Sequence, residues 1–206
     1  MEEFDKSRDA EKMLLLQDKE KNYLGALPYA IDRKEGDLTH ADVVTAAIDF
    51  LENEDGFFLM SESGQIDWAC HSNDAKTSIL ETIDLDLAVQ VAIDFAARHP
   101  RETLIIVTAD HETGGLSLGW EGLHTMHSDQ IAEQTASKDI LLQSGDRKKA
   151  DQISEMNQKA RMWTTSSHTG IPVPVYAMGV KSELFSGRMD NTDIPKKICQ
   201  AMGISF

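Results

Sequence analysis

The stretch that decides the fold is Thr103-Leu104-Ile105-Ile106-Val107-Thr108-Ala109-Asp110-His111. Its first six residues are β-branched or apolar without polar alternation, which is typical of a strand buried on both faces of a sheet. A helical pattern over residues 84–99 precedes it, with apolar positions at Leu87, Val91, Ile93 and Phe95. A helix followed by a buried strand indicates an α/β unit.

The same order of elements occurs upstream. Residues 39–54 form an amphipathic helical pattern that starts at Thr39, and Phe57-Phe58-Leu59-Met60 follows as a short buried strand. A third apolar strand is predicted over 173–178, where two prolines favour an edge position, and a helix over 193–202 closes the chain. This alternation predicts an α/β fold with a largely parallel sheet.

The rest of the chain is polar and permissive for helix. Residues 2–22 read as a charged helix, and residues of about 120–165 read as a helical insertion with little strand signal. No internal repeat and no Gly/Ser-rich linker interrupts the sequence. We therefore expect one domain over residues 1–206.

Charge and hydropathy limit the partners. The chain has 35 acidic and 20 basic residues, a formal net charge of −15, which argues against nucleic acid as a partner. Most of the carboxylates are expected on solvated helix faces. No apolar run approaches the roughly 20 residues of a membrane span. Residues 1–6 lack the basic start and apolar centre of a secretory signal, so no signal peptide is expected in the chain.

Acidic and histidine side chains flank the predicted strands, at the places where parallel α/β sheets position ligands. Aspartate and histidine suit zinc, whereas glutamate suits magnesium. Asp67 and His71 are four positions apart, so one helical turn would direct both at the same metal. The candidates are Glu62, Asp67 and His71 after the first strand, Asp110 and His111 after the second, and His168 before the third.

Three separated segments closely resemble the alkaline phosphatases. They are Gly56-Phe-Phe-Leu-Met-Ser-Glu62-Ser-Gly-Gln-Ile-Asp67-Trp-Ala-Cys-His71, Thr103-Leu-Ile-Ile-Val-Thr-Ala-Asp110-His111-Glu-Thr-Gly-Gly115 and Ser167-His168-Thr169-Gly170. Residues 81–86, 184–187 and 191–195 are also similar to that family. Three motifs in the family's order make a chance match improbable. The resemblance implies a three-layer αβα sandwich, of which this chain is a partial domain.

The resemblance also implies a centre of two zinc ions and one magnesium ion. One zinc site is complete in this chain, and the second zinc site and the magnesium site are partial. The first zinc would be bound by Asp67, His71 and His168, the second by Asp110 and His111, and the magnesium by Glu62.

The implied activity is hydrolysis of phosphate monoesters through a phosphoseryl intermediate. In the family the nucleophilic serine belongs to the amino-terminal half, and this chain corresponds to the carboxy-terminal half. No catalytic nucleophile is therefore predicted here, and the chain alone is expected to be inactive.

Two alternatives stay open: a catalytically inactive zinc-binding α/β fragment, or another superfamily member such as a sulfatase or phosphodiesterase. The spacing from Glu62 to His71 together with Ala109-Asp110-His111 favours the monoesterase.

Location and assembly follow from the resemblance as well. The family implies a periplasmic or extracellular parent protein and a homodimer. A chain without its partner strands is expected to expose an apolar sheet edge and to associate with itself.

Overall fold

The structure is a computed structural model, and it describes residues 10–14, 26–117, 128–160 and 162–206. Of the predicted helix over 2–22, residues 2–9 and 15–22 lie outside these ranges, and the described residues 10–14 are not helical. Helices and strands are mixed along the chain. The elements are α1 (His40–Leu51), α2 (Gly64–His71), α3 (Ala75–Arg98), β1 (Leu104–Val107), β2 (Glu112–Thr113), α4 (Ser128–Ala132), α5 (Lys138–Gln143), α6 (Arg147–Ala160), β3 (His168–Thr169), β4 (Tyr176–Gly179), a 3-10 turn (Ser182–Phe185) and α7 (Asp193–Met202).

Helix α1 begins where the sequence predicts. Thr39 is its N-cap, and Thr39 and Asp42 form a reciprocal capping box that satisfies two backbone N–H groups. Val44 and Ile48 of α1 pack with Ala88 of α3 in a buried apolar cluster. The helix ends three residues earlier than predicted, at Leu51, and α7 covers the predicted residues 193–202.

Helix α3 starts earlier than predicted because Asp74 is a strong N-cap. Its Oδ1 accepts from the Thr77 N–H at 3.2 Å. The same carboxylate also holds the helical segment 128–160: Gln134 donates to Oδ1 at 2.7 Å, and the Lys138 N–H donates to Oδ2 at 2.8 Å. Helices α4, α5 and α6 lie in the described part of residues 120–165, which the sequence predicts as a helical insertion.

The predicted buried strand at residues 57–60 is wrong. This segment belongs to no ladder, although its burial alternates as in a strand. Phe57 and Leu59 pack against the α1–α3 cluster, whereas Phe58 is 55% exposed and Met60 is 83% exposed. A strand requires a hydrogen-bonded neighbour, and no described strand pairs with this segment.

The strands pair differently from the prediction. β1 pairs antiparallel with β4, and β2 pairs antiparallel with β3, so neither described ladder is parallel. All four residues of β1 are half-buried, because the ladder has only two strands. Gly179 has φ +99°, and a side chain there would collide with the Thr103 carbonyl, so this end of β4 requires glycine.

Part of the acidic character is buried rather than solvated. Asp84 on α3 accepts two parallel hydrogen bonds from the Arg33 guanidinium, each 2.8 Å long. Glu81, one turn earlier, is buried and accepts from the Ala30 N–H at 2.5 Å. Desolvation raises the pKa of Glu81 to about 7. None of the helices in the described ranges has both the length and the apolarity needed to cross a membrane.

Candidate metal centre

Helix α2 carries two of the predicted ligands. Asp67 is in its first turn, and His71 is its last residue, so the i, i+4 spacing places both side chains on one face as predicted. Asp67 Oδ2 lies 3.4 Å from His71 Nε2. The short helix therefore presents a carboxylate and an imidazole together.

Strand β3 adds the third predicted ligand. His168 Nε2 lies 3.0 Å from His71 Nε2 and 3.8 Å from Asp67 Oδ1. One donor atom from each of these residues lies within 4.8 Å of the others, and no second such group of three occurs within the ranges that the structure describes. Residues 97 positions apart are thus brought together at the end of α2.

Backbone contacts fix the orientation of His71. Its Nδ1 lies 2.7 Å from the Ser166 carbonyl oxygen, which can only accept, so the proton of the neutral imidazole is on Nδ1. Nε2 then carries a free lone pair toward the other donors. Asn73 supports this arrangement from the left-handed region at φ +50°, because its amide donates to the carbonyls of Thr165 and Cys70.

The donor set fits a zinc ion. The lone pair of His71 Nε2 faces both His168 Nε2 and a carboxylate oxygen, an arrangement that a cation between them would stabilise. Two imidazole nitrogens and one carboxylate oxygen are zinc donors, and three protein ligands leave a fourth position open as in catalytic zinc sites. The hydrogen bond from Nδ1 to a carbonyl is the usual support of a metal-binding histidine.

The second predicted pair adjoins this group. Asp110 Oδ2 lies 3.3 Å from His111 Nε2, and the Asp110 side chain is 86% exposed. The His111 ring stacks on the His168 ring with centroids 3.6 Å apart. The structure therefore brings five of the six predicted ligands to one locality, as a group of three and an adjacent pair.

Glu62 stays outside the group of three. It is exposed and precedes α2. The adjacent Ser61 is held by His40, whose Nε2 lies 2.7 Å from the Ser61 hydroxyl. Burial lowers the pKa of His40, so this histidine is neutral at pH 7. Glu62 is thus anchored to α1 through its neighbour but is separate from the zinc-type donors.

The alkaline phosphatase family model matches residues 8–204. The chain belongs to this family. It is 33% identical to Alkaline phosphatase 3 of Bacillus subtilis over 96% of the chain and 50% of that protein, and 34% identical to Alkaline phosphatase 4 of the same organism over 82% and 44%. The chain spans about half the length of these alkaline phosphatases.

Solved alkaline phosphatases share the fold. The cold-active alkaline phosphatase from the psychrophile Shewanella sp. superposes with a TM-score of 0.72 at 30% identity, covering 84% of this chain and 52% of that one. A mutant of the alkaline phosphatase from the bacterium TAB5, with Mg bound in its M3 site, superposes with a TM-score of 0.64 at 29% identity, covering 88% and 46%. The α/β character of the prediction is thereby confirmed.

Sequence reasoning missed the residues that support the ligands. Thr113 contacts both Asp67 and His111 through its hydroxyl group, and Ser166 contributes its carbonyl. A signal for Thr113 was present, because residues two apart in an extended segment share a face and Thr113 follows His111 by two. The Ser166 contact joins residues 95 positions apart and has no local signal.

Proposed function

We propose that this chain is the metal-binding part of a metal-dependent phosphate monoester hydrolase of the alkaline phosphatase type. The observation that carries the proposal is the group formed by Asp67, His71 and His168 in a chain of this family. The Glu62-to-His71 spacing and the Ala109-Asp110-His111 motif favour the monoesterase over a sulfatase or a phosphodiesterase.

Each predicted ligand has a role in this proposal. The group of three would hold the first zinc, Asp110 and His111 the second, and Glu62 the magnesium, which in proteins often takes only one or two carboxylates. When bound there, zinc would supply Lewis-acid stabilisation of an in-line phosphoryl displacement and a lowered pKa for bound water. The chain's own residues orient the donor atoms. Helix α2 positions Asp67 and His71, and the Ser166 carbonyl directs His71 Nε2 toward Asp67 and His168.

The nucleophile is proposed to be a serine outside this chain, which forms the phosphoseryl intermediate. Ser61 has a histidine partner in His40, yet that contact anchors the segment before α2 to α1. The chain alone is therefore expected to bind zinc without turning over a phosphate ester.

Elemental analysis of the purified chain, run beside hydrolysis of a generic aryl phosphate at alkaline pH, tests the proposal. About one zinc per chain without turnover supports it. Turnover that His168→Ala abolishes would show that the nucleophile is inside these 206 residues, and Ser61→Ala would then test the serine that contacts His40. Absence of bound zinc would refute the metal-dependent function.

The finer architecture and the assembly are part of the same proposal. A largely parallel sheet in a three-layer αβα sandwich would need strands beside residues 57–60 and along the edge of β1 that pairs with no strand in the described residues. Exposed apolar side chains support self-association or a homodimer. They include Phe58, Met60, Ile171, Tyr176 and Met178. Sedimentation velocity tests this association, and a monomer at all concentrations would refute it.

A periplasmic or extracellular location is proposed for the parent protein from the family alone.

A further inference from the structure

The hydroxyl group of Thr113 lies between the two sets of predicted ligands. Its Oγ1 is 2.5 Å from Asp67 Oδ1 and 3.2 Å from His111 Nδ1. The residue is only 7% exposed, so water cannot readily replace either contact. One buried side chain thus contacts a ligand from the group of three and a ligand from the adjacent pair.

Counting protons fixes the direction of both hydrogen bonds. A carboxylate only accepts, so the single hydroxyl proton of Thr113 is donated to Asp67. Oγ1 can then only accept from His111, which places the imidazole proton on Nδ1 and leaves Nε2 with its lone pair. That nitrogen lies 3.3 Å from Asp110 Oδ2. Thr113 therefore leaves His111 Nε2 as the atom that can bind a metal beside Asp110.

The backbone of Thr113 is also in register with the third ligand. In the β2–β3 ladder Thr113 pairs with His168, and Glu112 pairs with Thr169. The Glu112 side chain supports this ladder, because it accepts from the Thr169 hydroxyl and from the Gly115 N–H at 2.9 Å. Movement of Thr113 would consequently displace His168 as well.

We propose that Thr113 is a positioning residue for both parts of the metal centre. It orients the Asp67 carboxylate, so that Oδ2 remains directed at His71, and it sets the tautomer of His111. The inference rests on the proposed function and deepens it by adding one residue that couples the two metal sites. The competing explanation is that the buried hydroxyl only stabilises the β2–β3 ladder.

The test compares Thr113→Val, which removes the hydroxyl at nearly constant volume, with Thr113→Ser, which keeps it. Thr45→Val is the matched control, because Thr45 donates within α1 to the Ala41 carbonyl, in a helix that carries none of the zinc-type ligands. Zinc affinity is measured by competition with a chelating dye. Loss of an outer hydrogen bond to a metal ligand typically weakens binding about 10- to 100-fold. We expect that loss for Thr113→Val, a change below about threefold for Thr113→Ser, and none for Thr45→Val.

A second readout is the tautomer of His111, observed by long-range ¹H–¹⁵N NMR of the imidazole in the metal-free chain. We expect Nδ1–H in the unsubstituted chain and in Thr113→Ser, and a mixture of tautomers in Thr113→Val. Unchanged zinc affinity and an unchanged tautomer in a Thr113→Val chain with a lowered Tm would overturn the inference in favour of a structural role.

The two readouts separate this inference from the proposed function. If the unsubstituted chain binds no zinc, the proposed function fails, and the tautomer still decides the role of Thr113. If Thr113→Val does not fold, the tautomer in the unsubstituted and Thr113→Ser chains decides it: an Nε2–H imidazole in either chain would overturn the inference.

Discussion

Replacement of His71 by alanine tests the assignment of the first zinc site. Zinc at a hundredfold its Kd stabilises the folded state of the unsubstituted chain by about 2.7 kcal/mol. For a chain of this length about 2–4 °C of Tm corresponds to each kcal/mol, so we expect zinc to raise the Tm by about 5–11 °C. His71→Ala leaves two of the three donors. If the affinity falls about 100-fold, the same zinc concentration stabilises the variant by only about 0.4 kcal/mol, or about 1–2 °C.

The substitution also removes the hydrogen bond to the Ser166 carbonyl, which costs about 1 kcal/mol without any metal. The assay is therefore the difference between melting curves with and without zinc, recorded for each chain by circular dichroism. His99→Ala is the histidine control, since His99 lies at the C-cap of α3 and stacks on Phe95. An undiminished zinc shift in His71→Ala would show that the ligands are misassigned.

Three further tests of the surrounding structure use denaturant unfolding at Arg33 and Glu81 and thermal unfolding at Gly115. Arg33→Ala leaves the buried carboxylate of Asp84 without its ion-pair partner, so we expect it to lower the free energy of unfolding by about 3–5 kcal/mol. Arg33→Lys should lower it less. Equal small losses in the two variants would contradict the bidentate pair. The pKa of Glu81 is about 7 in the folded chain, against its ordinary value of 4.5. Its contribution to the free energy of unfolding is therefore fully present below pH 4.5 and is lost as the pH rises through 7. Glu81→Gln should therefore gain up to about 3 kcal/mol over the unsubstituted chain above pH 8 and nothing near pH 4, and a pH-independent difference would refute this. Gly115→Ala should lower the Tm more than Gly145→Ala, because both have positive φ but only Gly115 faces a neighbouring side chain; equal losses would contradict that packing.

The predictable parts of the fold are those specified locally. The capping box at Thr39 and Asp42 and the amphipathic pattern behind it locate α1. The spacing of Asp67 and His71 predicted their common helical face for the same reason. In each case the residues that interact are within one or two turns of each other.

The incorrect predictions concern strands, whose formation and pairing depend on residues far away in the chain. Residues 57–60 have the composition and the alternating burial of a strand, yet strand formation depends on a neighbouring strand. The antiparallel pairing of β1 with β4 joins residues more than 60 positions apart. The residue pattern within either segment does not indicate this pairing. Proximity of His168 to α2 was predicted through family resemblance, and the β2–β3 register provides it physically.

The hydrogen bonds of the Asp74 carboxylate link two parts of the molecule in local unfolding. This carboxylate holds the start of α3 with one oxygen and the segment 128–160 with both. These helices and the first turn of α3 are therefore expected to unfold as one cooperative unit. Asp74 follows His71 by three residues, so this unit adjoins the proposed metal centre. Occupation of the centre should accordingly slow amide hydrogen exchange in α5 and α6, which supply none of its ligands.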